Sequence, residues 1–497
     1  MTGPNVSPLA HPDRLYIGGA WVPASSGRKI RVVNPATEET YVEVAEADEN
    51  DVARAVAAAR EAFDNGPWPR LSPVERAEWL RRLADAIDAR ADDFSTVWPN
   101  EMGIVHAMAK AMAPGFSYTY RSYAQITERF AFVEEHPTIS GAKLGLLVRE
   151  PVGVVGAIVP WNAPAALAAL KVAPALAAGC TVVLKASPEA PSHALLLAEA
   201  ADSIDLPPGV LNVITADRDA SEAMVRDERV DKISFTGSSV AGCRIASLLG
   251  GRMARYTMEL GGKSAAIILD DYDVEAAATA LAKRAPDMTG QVCAALTRAI
   301  VPRAKHDAFV EALAAALAKV KVGDPFDPAT RMGPLATERQ RGLVEGFISE
   351  ARASGAVLAT GGGRPSHLER GFFIEPTVFG HVDPASSIAC EEVFGPVLSV
   401  IAADSEEDAV RIANASRYGL NNAVFTNDVD RAYRIARELR SGTVGHNAQR
   451  LDFSIAFGGF KRSGVGREGG VEGLLPYLES KTVLLQDRPA ALAGGNN

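Results

Sequence analysis

Two short stretches carry residue types that could perform covalent chemistry together: Met258-Glu259-Leu260-Gly261-Gly262-Lys263-Ser264 and Gly290-Gln291-Val292-Cys293. A thiolate attacks carbonyl carbon, and a nearby carboxylate can take a proton from the thiol or from water. Neither residue is decisive alone. Most cysteines are small buried hydrophobes, and most glutamates are solvated or paired acids. A cysteine–histidine hydrolase is a rival arrangement. None of the eight histidines lies near Cys293 in sequence, although folding could bring one close.

The elements that must position these groups follow an alternating pattern from Val152 onward. Val152–Val159, Thr181–Leu184, Leu211–Ile214 and Lys232–Phe235 read as buried strands. Helical runs separate them: Pro164–Ala178, Ala190–Ser203, Ala220–Val225 and one from Val240. Such alternation predicts an α/β fold with a parallel sheet covered by helices. Ligands on that architecture sit beyond the carboxyl ends of the strands.

Three strand exits carry unusual residues. The first is Pro160-Trp161-Asn162-Ala163-Pro164. The Asn162 amide can donate to a developing oxyanion, or it can cap the next helix. The second holds Lys185 in Val183-Leu184-Lys185-Ala186-Ser187-Pro188-Glu189. Lys185 can meet a cofactor hydroxyl or phosphate, although solvated lysines are commoner. The third is Phe235-Thr236-Gly237-Ser238-Ser239-Val240-Ala241-Gly242. A glycine turn entering a helix presents free amides to phosphate. Its spacing is not the usual dinucleotide fingerprint.

With these motifs in view, the chain resembles the aldehyde dehydrogenase superfamily over nearly its whole length. Met258–Ser264 matches that family's glutamate motif and Gly290–Cys293 the core of its cysteine motif. The interval between Glu259 and Cys293 is also the family's usual one. The resemblance implies a Rossmann-like cofactor domain (1–128 and 150–261), an α/β catalytic domain (262–465) and a small β oligomerisation element (129–149 and 466–487). It implies oxidation of an aldehyde to a carboxylic acid with NAD(P)+ and water. Cys293 would form a thiohemiacetal and then a thioester. Asn162 would hold the oxyanion, Glu259 would activate water, and Lys171 would lie near the active site.

The same resemblance assigns Trp161, Lys185, Gly237, Ser238, Gly242, Glu392 and Phe394 to the cofactor. Glu392 and Phe394 come from Glu391-Glu392-Val393-Phe394-Gly395-Pro396. The substrate pocket would include Ala163, Leu170, Asp287 and Phe457. Three departures from the family pattern bear on that pocket. Ala163 stands where an aromatic is usual, Pro286-Asp287-Met288-Thr289 replaces two aromatics and an asparagine, and Gly445 replaces an aromatic. The glutamate that many NAD-preferring members carry three residues after the lysine is shifted here to Glu189. NAD is the expected cofactor, and NADP stays open. Transfer of the acyl group to coenzyme A, thiol-esterase action and a non-catalytic role also stay open.

Size and charge narrow the classes further. A chain of 497 residues exceeds one ordinary core, so two or three domains are expected. A net charge of −10 leaves no basic stripe for nucleic acid. Cys180, Cys243, Cys293 and Cys390 lack metal or disulfide spacing, which fits a reducing, cytoplasmic setting and no metal site. No secretory signal precedes Asp13, and Pro160 and Lys171 interrupt the apolar stretches, so no membrane span is expected.

Toward the N-terminus, Leu15–Val22 reads as a hairpin turning at Gly18-Gly19. Helices are expected over Asp51–Phe63, from Ser72-Pro73-Val74-Glu75 toward Arg90, and over about Gly115–Arg129. Residues 136–149 read as a protruding hairpin that needs another surface. With Ser480–Gln486 as its partner strand, the resemblance implies a homodimer or homotetramer. The Ala/Gly/Asn-rich tail Arg488–Asn497 is expected to be disordered.

Overall fold

The computed structural model describes residues 6–492. Five parallel strands form the centre of the first sheet: β1 (Val154–Ile158), β2 (Thr181–Ala186), β3 (Leu211–Thr215), β4 (Lys232–Thr236) and β5 (Arg255–Glu259). Their order is β3-β2-β1-β4-β5. Every residue of β1 to β4 is buried, as a sheet covered on both faces requires. Helices Pro164–Ala178, Ser192–Ser203, Arg218–Arg226 and Ser239–Gly250 follow the first four strands. The hairpin Leu15–Ile17/Ala20–Val22 forms as expected and adds to the β3 edge through Tyr16 and Val213.

The second sheet has seven strands: β6 (Ser264–Ile268), β7 (Leu296–Pro302), β8 (Val357–Thr360), β9 (Thr377–Gly380), β10 (Val397–Ala403), β11 (Asn421–Phe425) and β12 (Thr443–His446). They run in the order β8-β9-β10-β7-β6-β11-β12. Only the β8–β9 pair is antiparallel. The link from β5 to β6 is Leu260 to Lys263, so the glycine pair 261–262 joins the two sheets.

A third, three-stranded sheet pairs Leu144–Pro151 with Val133–His136 and with Leu478–Leu485. The pairing of Leu144–Pro151 with a late strand is what the family resemblance implied for residues 136–149 and Ser480–Gln486. The residues just after 465 pack on the first sheet. Gly464–Val465 is an antiparallel edge strand on β5, with Glu259 opposite Gly464. Leu474 and Tyr477 are buried in the core of the first sheet, with Val155, Ala157 and Leu176. The third sheet takes up the chain only from Leu478, because the apolar residues before it find their burial on the first sheet.

The tail also differs from expectation over its first residues. Arg488 pairs with Glu135 at 2.7 Å, and Ala490–Leu492 forms a short 3₁₀ turn. The remainder, 493–497, lies outside the described residues. Near the N-terminus, Asp48 and Ser72 cap helices Glu49–Asp64 and Pro73–Asp88 through reciprocal bonds with Asp51 and Glu75. Two helices that the sequence pattern did not reveal, Ala91–Met102 and His106–Met112, follow. Pro99 inside the first interrupts the expected helical pattern.

Candidate active site

The cysteine is presented by a left-handed turn. Met288, Thr289 and Gly290 have φ of 50°, 56° and 70°. Non-glycine residues there cost about 1–3 kcal/mol each and persist only where surrounding contacts hold them. Thr289 Oγ1 donates to Gly333 O at 3.1 Å. The buried Gln291 side chain donates to Met288 O at 3.0 Å and accepts from Ala336 N–H at 2.9 Å. Cys293, half-buried, leaves this braced loop two residues later.

The glycine pair lets three backbones converge. A Cβ on Gly262 would lie 2.3 Å from Cys293 O, and one on Gly261 would lie 2.1 Å from Glu392 Oε2. Only bare backbone fits between the cysteine and Glu392. Gly262 N–H donates to Glu392 Oε1 at 3.0 Å. Burial pushes Glu392 up to about 7, against that bond and Lys263.

Asn162 Nδ2 donates to Gln291 O at 2.9 Å, which aims the amide at the cysteine loop. Trp98 Nε1 holds the Asn162 carbonyl at 2.9 Å. Asn162 does not cap the following helix; Ala163 takes the cap position. The amide has two hydrogens, so one donor remains beyond the Gln291 bond.

Glu259 closes β5 and is buried, and neither carboxylate oxygen has a hydrogen-bond partner. Burial raises it well above the usual carboxylate range, Glu468 adds to the rise, and Lys171 and Arg467 oppose it. Lys171 Nζ and Glu468 Oε1 form an ion pair at 2.6 Å, both side chains 1% exposed. Burial pushes the Cys293 thiol up to about 12, with Glu392 and Glu259 adding to the effect. The buried setting thus disfavours the thiolate, with Glu392 and Glu259 both acting on Cys293.

Beside the thiol, one cleft is lined by Trp161, Asn162, Gly237, Ser238, Glu392 and Phe394. The Trp161 and Phe394 rings meet edge to face at 5.5 Å. Lys185 and Ser238 line the adjoining cleft with Glu189 and Arg339. Lys185 Nζ donates to Ala216 O at 3.5 Å, and burial lowers it to about 8. Ser238 caps helix Ser239–Gly250, its Oγ accepting from Ala241 N–H at 3.2 Å, and Gly242 lies in that first turn. This arrangement fits a dinucleotide: an anion-accepting helix start, a carboxylate for hydroxyls, and two aromatic walls opening onto the thiol.

Of the expected pocket residues, Phe457 packs with Ala294 and Leu420, and Val292 and Cys293 lie against that cluster. Ala163 is half-buried beside Asn162, and Leu170 is buried. Asp287 is turned to Arg284, 3.2 Å away, and is not gathered into the group around Cys293. Helix Val274–Arg284 ends with the cation that claims it. Glu468 and Gln291 are the residues whose roles the sequence did not reveal. The available signal was Lys171 itself: a lysine in an almost wholly apolar helix demands a buried acid, and 297 positions separate the two.

The chain is similar to known proteins over nearly its whole length. Residues 21–483 match the aldehyde dehydrogenase family. A geranial dehydrogenase from Castellaniella defragrans is 42% identical, with 95% of this chain and 98% of that protein covered. The crystal structure of Mycobacterium tuberculosis aldehyde dehydrogenase with NAD+ superposes with a TM-score of 0.93 at 43% identity, covering 95% and 98% of the two chains. A Cys-to-Ala mutant of aldehyde dehydrogenase C from Pseudomonas syringae, with NAD+ and octanal, gives 0.93 at 39%, covering 98% and 99%. The chain is thus a member of the aldehyde dehydrogenase family, an NAD-binding oxidoreductase whose reaction converts aldehydes to carboxylic acids.

Proposed function

We propose that Cys293 is the nucleophile, Asn162 the oxyanion donor and Glu259 the base of hydrolysis. The observation that carries this reading is the buried, unpartnered Glu259 carboxylate between the Lys171–Glu468 pair and the half-buried thiol. Cys293 Sγ bonds to the aldehyde carbon as the thiol proton passes to solvent water and the carbonyl electron pair moves onto oxygen; the sulfur regains a proton from solvent when the acid leaves. The resulting oxyanion accepts from Asn162 Nδ2. NAD+, when bound, would supply the hydride acceptor, and Glu392 and Ser238 would hold its ribose hydroxyls and pyrophosphate. Loss of hydride from the carbon leaves a thioester on Cys293. Water attacks that thioester and gives a proton to Glu259, and the acid leaves as the carbon–sulfur bond breaks. Glu468, whose Oε1 is paired with Lys171 and whose Oε2 has no hydrogen-bond partner, accepts the proton in turn on Oε2. A buried base with this outlet favours water over coenzyme A as the acyl acceptor.

Two variants test the assignment. Cys293→Ala should lower NAD reduction by about 10⁴-fold or more. Glu259→Gln should release about one NADH per site in a burst and then stall at the thioester. Equal steady-state turnover in Glu259→Gln and the parent protein would overturn Glu259 as the base.

NAD is the preferred form in this reading. Glu189 Oε2 accepts from Ser187 Oγ, and its Oε1 lies 3.7 Å from Arg339, at the wall where Lys185 also stands. A carboxylate there repels a ribose phosphate. Glu189→Gln should raise the NADP/NAD ratio of kcat/KM by about tenfold, the equivalent of one lost charge contact of about 1.4 kcal/mol; an unchanged ratio would remove Glu189 from the discrimination.

The three-stranded sheet exposes its outer strands, which supports assembly into a homodimer or homotetramer through this element. The described residues contain no helix long and apolar enough to cross a membrane. Four free cysteines support a cytoplasmic setting.

A further inference from the structure

The catalytic groups reach the second sheet at its amino ends: Cys293 precedes β7, and Glu392 and Phe394 precede β10. The opposite, carboxyl ends are where parallel sheets ordinarily present ligands. β10 has seven residues, so about 20 Å separates the two ends. At the far end stand His306, Asp307 and His381, none of which the mechanism uses.

The three side chains converge from separate segments. His306 and Asp307 open helix His306–Leu317, just beyond β7, and His381 follows β9 directly. His306 Nδ1 lies 2.7 Å from Asp307 Oδ1, and His381 Nε2 lies 3.2 Å from the same oxygen. The two rings lie 4.4 Å apart, and all three atoms fall within 4.8 Å of one another. Ligand atoms around a tetrahedral zinc stand about 3.3 Å apart, given zinc–nitrogen and zinc–oxygen bonds of about 2.0–2.1 Å. Both spacings to Asp307 are near that value, and the shorter opens by rotation of an exposed carboxylate.

The buried member of the group is fixed by the sheet. A Cβ on Gly380 would lie 3.6 Å from His306 Cε1, so the end of β9 lies against the ring. His306 Nε2 sits between His381 N–H at 3.1 Å and Val400 O at 3.4 Å. Without metal, Nε2 accepts from His381 N–H, and Nδ1–H donates to Asp307. With metal on Nδ1, the ring proton moves to Nε2, where Val400 O receives it. A carbonyl behind a ligating imidazole fixes the orientation of the ring. His381 N–H gives up its acceptor in that exchange, one bond lost against three metal–ligand bonds gained. His381 itself has φ of 51°, which a non-glycine residue keeps only where its surroundings hold it.

We propose that His306 Nδ1, Asp307 Oδ1 and His381 Nε2 bind a divalent transition metal of the zinc class, with water in the fourth position. Two imidazoles and one carboxylate suit such an ion, whereas magnesium and calcium take oxygen ligands. The ion pins the start of helix His306–Leu317 to the loop after β9, 75 positions later in the chain. Its role is to stabilise the end of the second sheet that lies away from the thiol. Cysteine spacing gave no sign of this site, because its ligands are histidines and an aspartate gathered by strand order.

The test is calorimetric titration of the full-length protein, stripped with EDTA and desalted, with zinc chloride. Cobalt(II) is the spectroscopic probe, since thiolate ligation adds a near-ultraviolet charge-transfer band that imidazole and carboxylate lack. The expected result is one site per chain, with tetrahedral cobalt bands and no thiolate band. His381→Asn and Asp307→Asn should each weaken zinc binding by about 100-fold. Asparagine is chosen at 381 because it tolerates the left-handed backbone. Saturating zinc should raise the Tm of the parent protein and leave that of both variants unmoved. Metal-free variants should keep the parent's rate of NAD reduction, which shows that their fold is intact.

Absence of zinc binding by the parent protein would overturn the proposal, as would equal affinity in the parent and both variants. A cobalt complex showing the thiolate band would place the ion on a cysteine and overturn it too. Zinc that binds at these residues without raising the Tm would overturn the stabilising role.

Discussion

The strand exits of the first sheet and the cysteine region solve different problems by different means. Each cofactor exit is a strand end passing into a helix start, with geometry set within a few residues. Ser238 caps through Ala241 N–H, and Gly242 N–H returns to Ser238 O at 2.9 Å. The cysteine region is set from afar. Its left-handed turn is held by Gly333 and Ala336, Cys293 is backed by Gly262, and Glu259 stands near the ion pair joining Lys171 to Glu468. Binding surfaces can be assembled locally because phosphate needs only free amides. Covalent chemistry needs an acid, a thiol and a donor from separate elements brought together in a dry pocket, and only packing does that.

The sharpest way to break the cysteine region without touching Cys293 is Lys171→Met. The variant leaves Glu468 buried without its cation, so a loss of about 3–5 kcal/mol is expected in urea unfolding. Hydrolysis of the thioester should slow as well. Unchanged stability would mean the pair is dispensable to the long-range assembly described here.

A second prediction concerns the thiol directly. Alkylation by iodoacetamide needs the thiolate, and Cys293 is pushed up to about 12, chiefly by burial. Below that value the thiolate fraction grows with pH, so the cofactor-free rate should rise about tenfold per pH unit between 7 and 10. A plateau near pH 8 would show a thiol in an ordinary environment and contradict the two-carboxylate setting.

The smallest expected effect lies on the local side. Ser238→Ala removes one cap bond and should cost about 1 kcal/mol of stability. It should raise KM for NAD with kcat nearly unchanged, because a helix start contributes binding and no reacting group. A large fall in kcat would blur the distinction between the two regions.

Much of this organisation was legible in the sequence. The alternation from Val152 onward predicted the parallel strands, since buried strands read as short apolar runs wherever helices cover both faces. Ser72-Pro73-Val74-Glu75 announced its helix through capping chemistry, which depends on four adjacent residues. The resemblance drew Cys293, Glu259, Asn162 and Lys171 toward one site, and the structure places Asn162 on the cysteine loop and Lys171 beside Glu259. Whether Asp287 lines the pocket was left open by the sequence, because Arg284, one helical turn earlier, could pair with it, and no pattern states which of two neighbours a carboxylate will choose. The burial of Leu474 and Tyr477 on the first sheet was not legible, because burial partners are a property of the fold.

By itself, then, the sequence determined the local matter: strand and helix periods, caps, the glycines where backbones must touch, and the residue types able to do acyl chemistry. These depend on neighbours within a few positions. The tertiary structure alone decided which acid answers Lys171 and what braces the left-handed turn before Cys293. Those facts arise from contacts between distant segments. Their free energies come from burial and from the exclusion of water, and neither exists until the chain has folded.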